Sequence, residues 1–366
     1  MRSDDSLEWP AGWGMARVQY VNDFTNLTGA FLATILVAAL LAVTPATGAG
    51  GAESIHVARF QGDRAAAVSF TFDDNMRNQY ELAVPMLERY GFCGTFFVIA
   101  GLTPDTDEEA AKKLAGDHGS ISWQRLKEMA GRGHEIGNHS WSHPNLRELD
   151  GTKLDEEVNK AYRRIAEKIG TPPLTFCYPG NSWDNRVLEV VMRNHIAARD
   201  RLVPYGGKTF TTAKANAFID EAIARGQPMV AMIHGITTGY EPFTSANVLE
   251  NHLRYVKSRQ DRIWVDTFAN VSRYTQERDA AKLTSTQSPG AAAFTLECSL
   301  DPKRFDYPLT VVIPVKNVTD VQAKRQGVAR LLPVEIRADR IVIQAAPSPQ
   351  PVMVTWRMAA TPARTP

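Results

Sequence analysis

Seven short apolar runs punctuate this chain and alternate with amphipathic helical stretches. The runs are Ala65–Phe72, Gly94–Ala100, Gly133–His139, Leu174–Tyr178, His195–Arg199, Pro228–His234 and Arg262–Asp266. Between most of them apolar residues recur at helical spacing. Leu82, Val84, Met86 and Leu87 do so within 78–90, and Leu126, Met129 and Ala130 within 122–132. Val158, Tyr162, Ile165 and Ile169 line one face of 154–170, and 185–194, 212–225, 245–257 and 266–278 follow the same logic. Strands that alternate with helices pair in parallel, and strands apolar throughout are buried on both faces. Polar residues gather at the C-terminal ends of several runs: Asp73-Asp74, His139, Gly180-Asn181, Arg199 and His234. A closed or nearly closed barrel brings such ends round one mouth, whereas an open sheet keeps distant ends apart.

The pattern changes after residue 279. Thr284-Ser285-Thr286-Gln287-Ser288-Pro289-Gly290 reads as a linker, set here at 281–292. Strand-like runs follow at Ala293–Cys298, Leu309–Val315, Val334–Arg337, Arg340–Ala345 and Val352–Met358. They predict a small all-β, sandwich-like domain over 293–358, then a frayed tail over 359–366. Leu309–Val315 has no aromatic residue for a sugar platform, so this domain is expected to pack on the barrel of residues 51–280, with glycan binding as the alternative.

At the other end, Leu27–Val43 carries no charge and leads into Thr44-Pro45-Ala46-Thr47-Gly48-Ala49-Gly50. That is the order of a secretory leader and its cleavage zone; an uncleaved membrane anchor is the alternative. Residues 1–50 are therefore set apart, and the rest is expected outside the cytoplasm, secreted or periplasmic. Of 366 residues, 44% are hydrophobic and 22% charged, with a net charge of +1. This balance lacks the basic footprint of a nucleic-acid binder, and no protein partner is evident. Cys93, Cys177 and Cys298 form no CxxC. They read as buried free thiols, with a Cys93–Cys177 bridge as the alternative.

Two segments carry chemistry. Ser69-Phe70-Thr71-Phe72-Asp73-Asp74-Asn75 ends an apolar run with paired carboxylates, and His139 and His143 stand four apart before Pro144. Two histidines and one carboxylate are the ligand set of an open metal site, which leaves room for water and substrate. Such a cation lowers the pKa of its water and polarises a carbonyl. If the segment turns helically, both imidazoles point the same way. Successive strand residues face opposite sides, so one aspartate ligates and the other takes a proton only after a local twist. The plainer alternative for Asp74-Asn75 is a helix N-cap.

Together these segments resemble the first two motifs of the polysaccharide deacetylases, the family 4 carbohydrate esterases or NodB homology domain, over residues 55–280. The resemblance implies an α/β fold, a distorted seven-stranded (β/α) barrel, with the small all-β domain appended. It implies Asp73 as catalytic base and Asp74, His139 and His143 as ligands of a divalent metal, usually zinc (Zn2+). Phe176-Cys177-Tyr178-Pro179-Gly180-Asn181 is similar to the third motif, with Cys177 in place of its arginine and Gly180 in place of its aromatic residue. The Gly180 N–H can still serve an oxyanion. Arg199, from another strand end, is the candidate for the missing arginine's work. Met232-Ile233-His234 resembles the last motif, which implies His234 as catalytic acid and Met232 against the acetyl methyl. Trp183, whose indole face suits a sugar, and Tyr178 are further substrate-binding candidates. Trp264 and His134 are read as buried, and Asp266 as a helix cap. The implied reaction removes acetyl groups from an acetylated polysaccharide, N-acetyl groups of an amino-sugar polymer in the first place. An O-acetyl esterase acting on xylan or another glycan is the alternative; an inactive glycan-binding protein is the alternative from another class.

Overall fold

The computed structural model describes residues 54–112 and 119–359. The leader or anchor of 1–50 and all but the first residue of the tail 359–366 lie outside the described residues. Among the described residues, no helix is long and apolar enough to cross a membrane.

A short strand, β1 (His56–Val57), precedes β2 (Ala66–Phe72), β3 (Thr95–Val98), β4 (Glu135–Asn138) and β5 (Thr175–Cys177). Then come β6 (Ala197–Arg199), β7 (Val203–Tyr205), β8 (Pro228–Ile233) and β9 (Ile263–Val265). Strands β2 to β9 form one sheet, ordered β6-β5-β4-β3-β2-β8-β7, with β9 against the start of β2. All its pairings are parallel. Every residue of β2 is buried, as its unbroken apolar run requires. All seven expected strands lie inside the runs named above. The eighth, β7, has Pro204 at its centre, which reads against a strand; at an edge the missing N–H costs no ladder bond.

Chain length forces this sheet to curl. Laid flat, seven strands would hold the edges about 29 Å apart at ~4.8 Å per step. Only Asp200, Arg201 and Leu202 join edge strand β6 to edge strand β7, a reach of at most about 14 Å from Arg199 to Val203. The edges must come within that reach of each other, so the sheet curls toward a barrel, although among the described residues no strand pairing joins β6 to β7.

The expected linker is a strand. Residues 281–292 form β10 (Ala281–Ser288), a Pro289-Gly290 turn and the start of β11 (Ala291–Cys298). The two strands pair from Ala281↔Cys298 to Ser288↔Ala291, and Gly290 takes the left-handed turn position at φ +77°. Because β10 is an edge strand with mostly exposed side chains, backbone bonds hold it and its sequence needs no apolar alternation. With β12 (Leu309–Pro314), β13 (Val318–Arg325), β14 (Val334–Ile336), β15 (Arg340–Ala345) and β16 (Ser348–Met358), it completes a sandwich. The two four-stranded sheets are β1-β12-β15-β14 and β10-β11-β16-β13.

The expected boundaries at 280 and 293 fail in a second way, because β1 pairs with β12 although it precedes the barrel. Barrel and sandwich share one apolar core, in which Phe60, Trp264, Val271 and Tyr274 meet Phe294, Val311, Ile313 and Trp356. Polar contacts reinforce it. The Tyr274 hydroxyl donates to the Ala58 carbonyl, and the Tyr307 hydroxyl donates to Asp266 at 2.7 Å. Two π-helical segments, Gln79–Ala83 and Glu156–Lys160, interrupt the barrel helices. Such segments often accompany functional sites, and both deliver a side chain to the mouth.

Candidate active site

Asp73 lies one residue past the end of β2, and its carboxylate is buried. Arg199, at the end of β6, reaches across the barrel and grips both its oxygens, Nη1 to Oδ1 at 2.7 Å and Nη2 to Oδ2 at 2.5 Å. The same guanidinium donates to Thr71 Oγ1 at 2.7 Å and lies 3.0 Å from Cys177 Sγ. Burial alone would push the Asp73 carboxyl up, but the Arg199 charge and hydrogen bonds outweigh it and hold it below the usual range. Burial raises the Cys177 thiol, so it stands beside the pair as a neutral group. None of the three cysteines is bridged.

Asp74 turns the other way. Its backbone is left-handed, φ +72°, as is that of Asn75 at +57°. This is the local twist that frees the second carboxylate from strand alternation, and it stores strain of about 1–3 kcal/mol per residue. Asn75 is no helix cap: its side-chain amide donates to Thr103 Oγ1 and to the Ile121 carbonyl.

The histidine pair is not presented by a helical turn. Ser140 and His143 are both left-handed, φ +67° and +64°. Glu157, in the second π-helical segment, accepts from the Trp141 and Ser142 N–H groups, and Ser140 Oγ accepts from His143 N–H. The rings still converge, with centroids 4.7 Å apart. His139 Nδ1 lies 2.8 Å from the Cys177 carbonyl. A carbonyl only accepts, so Nδ1 carries the proton and Nε2 presents its lone pair when the ring is neutral.

Asp74 Oδ1 is 3.4 Å from His139 Nε2 and 3.5 Å from His143 Nε2. These separations exceed hydrogen-bond lengths, and Oδ1 is buried without a hydrogen-bond partner. They match the edge of a tetrahedron with bonds of about 2.1 Å, the zinc–ligand length. Burial pushes the His139 imidazole down, yet its neighbours, the Asp74 and Asp73 carboxylates among them, lift it well above its ordinary value. The surroundings thus favour positive charge here, and Asp74, His139 and His143 fit a divalent cation. A second group, Asp73, His139 and Cys177, is equally compact. It fits poorly, because Arg199 already occupies Asp73 and the thiol is protonated.

His234, just past β8, closes the constellation, with Nε2 3.9 Å from Asp73 Oδ2 and 3.8 Å from Asp74 Oδ2. Gln79 donates to the backbone carbonyls of Asp73 and His234, tying the two strand ends together. Met232 is buried beside the rim, its sulfur 3.7 Å from Asn181 Nδ2. Gly180 is left-handed at φ +60° and exposed. Tyr178, expected against substrate, is instead 1% exposed and packed on Phe176; its ring is wide enough to serve as core. It carries Trp183 stacked at 5.7 Å, and that indole is 37% exposed. Trp264 and His134 are buried as expected. The cap beside Asp266 is Thr267, whose side chain accepts from Asn270 N–H. Gln79 and Glu157 were not legible in the sequence, since an amide or acid near a helix start has no distinguishing mark.

The polysaccharide deacetylase family model matches residues 61–198, which include Asp73, Asp74, His139, His143 and Gly180 but neither Arg199 nor His234. A gellan lyase from Bacillus sp. is 25% identical over 74% of this chain, which spans only 12% of that protein. A chitooligosaccharide deacetylase from Azorhizobium caulinodans is 24% identical over 46% of this chain and 73% of its own length. Among solved structures, the peptidoglycan deacetylase PdaC from Bacillus subtilis overlaps 58% of this chain and 93% of its own, at TM-score 0.40 and 18% identity. Over residues 61–198, then, this chain matches the polysaccharide deacetylase family model, with the paired aspartates and the two histidines inside the match.

Proposed function

We propose that this chain is a metal-dependent hydrolase that removes N-acetyl groups from an amino-sugar polymer. The observation that carries the reading is the convergence of Asp73, Asp74, His139, His143 and His234 at one mouth, with facing polar atoms 3.4 to 3.9 Å apart. The chitooligosaccharide deacetylase among its relatives is named for that chemistry. Asp74, His139 and His143 hold the cation, and a nitrogen-and-oxygen donor set of this kind suits zinc. When bound, the cation supplies Lewis acidity toward the acetyl carbonyl and lowers the pKa of water.

The remaining work falls to side chains. Asp73 accepts a proton from the attacking water as its oxygen bonds to the acetyl carbon. Its depressed pKa weakens it as a base but keeps it ionised at neutral pH. The Gly180 N–H steadies the negative charge on the carbonyl oxygen. Protonated His234 gives its proton to the sugar nitrogen as the C–N bond breaks, leaving acetate and a free amine. Met232 borders the acetyl methyl, and Trp183 offers its outer face to a sugar ring.

The test is acetate release by chelated protein, before and after zinc, from N-acetylglucosamine oligomers and from O-acetylated xylan. Zinc-dependent release from the N-acetylated oligomers is expected. Release from xylan alone makes the enzyme an O-acetyl esterase, and glycan binding without release in the presence of zinc would sink catalysis altogether.

A further inference from the structure

Tyr240 is 60% exposed, yet it sits on a firmly held loop. The loop, residues 235–244, follows β8 and leads directly from His234. Asn78 holds it from below, donating to the Thr238 carbonyl and hydroxyl and accepting from Ile236 N–H. Gly207 N–H reaches the Glu241 and Pro242 carbonyls from the loop after β7. Three glycines fix the close approaches. A Cβ at Gly206 would lie 2.0 Å from the Glu241 carbonyl oxygen, at Gly235 1.9 Å from that of Thr238, and at Gly239 2.5 Å from the Met76 sulfur. A large apolar ring held at the tip of such a loop gains little from burial, so folding does not explain it.

Its setting does. The Tyr240 ring stands edge-on to the His234 imidazole, with centroids 4.9 Å apart at 76°. An edge-on contact of this kind leaves much of the phenol ring to solvent beside the group assigned as the acid. The next residue, Glu241, lines an open cavity of about 430 Å³ together with Gly207, Lys208, Pro242, Phe243 and Thr244. An exposed ring face, with a hollow lined by a carboxylate and an ammonium beginning at the next residue, suits a pyranose, which stacks by its C–H face and hydrogen-bonds by its hydroxyls.

We propose that Tyr240 is a substrate-binding residue, a stacking platform for the sugar next to the acetylated one, and that the cavity beyond it takes that sugar's hydroxyl groups. This rests on the deacetylase reading and adds to it that the enzyme recognises at least two consecutive sugars. A loop held in place keeps the ring ready and lowers the ordering cost of binding.

The experiment compares zinc-loaded full-length protein with Tyr240→Ala and Tyr240→Phe. Acetate release is measured from an N-acetylglucosamine tetramer and from 4-nitrophenyl acetate, which has no neighbouring sugar. In Tyr240→Ala the ratio of kcat/KM on tetramer to that on ester falls about tenfold, mainly through KM on the tetramer, the size of one aromatic stacking contact. Tyr240→Phe keeps the ratio. An equal loss on both substrates, or no loss on the tetramer, overturns the proposal. Calorimetric binding of the tetramer separates this outcome from failure of the deacetylase reading itself. Even without acetate release, Tyr240→Ala weakens binding about tenfold, and unchanged affinity overturns the platform.

Discussion

At the scale of single residues, the Asp73–Arg199 pair decides how the proposed chemistry works. Two charges buried side by side are tolerable only because each satisfies the other; removing one partner costs on the order of 3–5 kcal/mol. Without Arg199, burial is the largest remaining influence on Asp73 and drives its pKa upward. Arg199→Met, which keeps the stem volume, is expected to lower kcat by about 10²-fold, the lower range for general-base catalysis. It should also move the acidic limb of the pH–rate profile toward higher pH, with zinc content retained. Unshifted pH dependence at full zinc occupancy would remove Arg199 from its proposed role. This arginine was legible because it ends a strand run. Its work at the base was expected in place of the missing motif arginine; the three-residue link from β6 to β7 that brings the two strand ends together was not, since no local pattern announces it. The same holds for Tyr240, an ordinary surface tyrosine until His234 is seen beneath it.

At the scale of elements, the helix Phe268–Ala280 joins the two halves of the molecule, and Glu277 marks the joint. Its side chain is buried; Oε1 accepts from Tyr307 N–H at 2.9 Å, and Oε2 is buried without a partner. Burial pushes this carboxyl up to about 7 from 4.5. A carboxyl raised in the folded state binds its proton more tightly there than in the unfolded chain. Its contribution is therefore complete below pH 4.5 and is lost as pH rises through 7. Glu277→Gln keeps the acceptor and removes the charge. It should raise the thermal midpoint by several degrees at pH 8, for on the order of 3 kcal/mol, and leave it nearly unchanged at pH 4.5. Equal shifts at both pH values would show that the charge is not the cause. Barrel strands and helices were legible because their apolar runs are buried on both faces. The edge strands β7 and β10 were not, because Pro204 and a run of serines and threonines are tolerated where one side of a strand has no neighbour.

At the scale of the whole molecule, barrel and sandwich fold as one body. Phe60, Trp264, Val271 and Tyr274 belong to the barrel half, yet their neighbours include Phe294, Val311, Ile313 and Trp356 of the sandwich. Exposing four such side chains forfeits roughly 6–12 kcal/mol, at about 1.5–3 kcal/mol each. That equals the whole stability of an ordinary domain, about 5–15 kcal/mol. Truncation also strands β1, whose only sheet partner among the described residues is β12. A chain ending at Ala280 is thus expected to be insoluble, even though every residue of the metal site and both proposed proton carriers are retained. A soluble truncated chain with full acetate release would show the sandwich to be a detachable module, and a soluble chain that lost only polymer affinity would give it a binding role. The shared core argues for neither. It makes the sandwich the floor on which the barrel stands, with the site at the C-terminal ends of the strands and the joint at the start of β2, at opposite ends of the same strand.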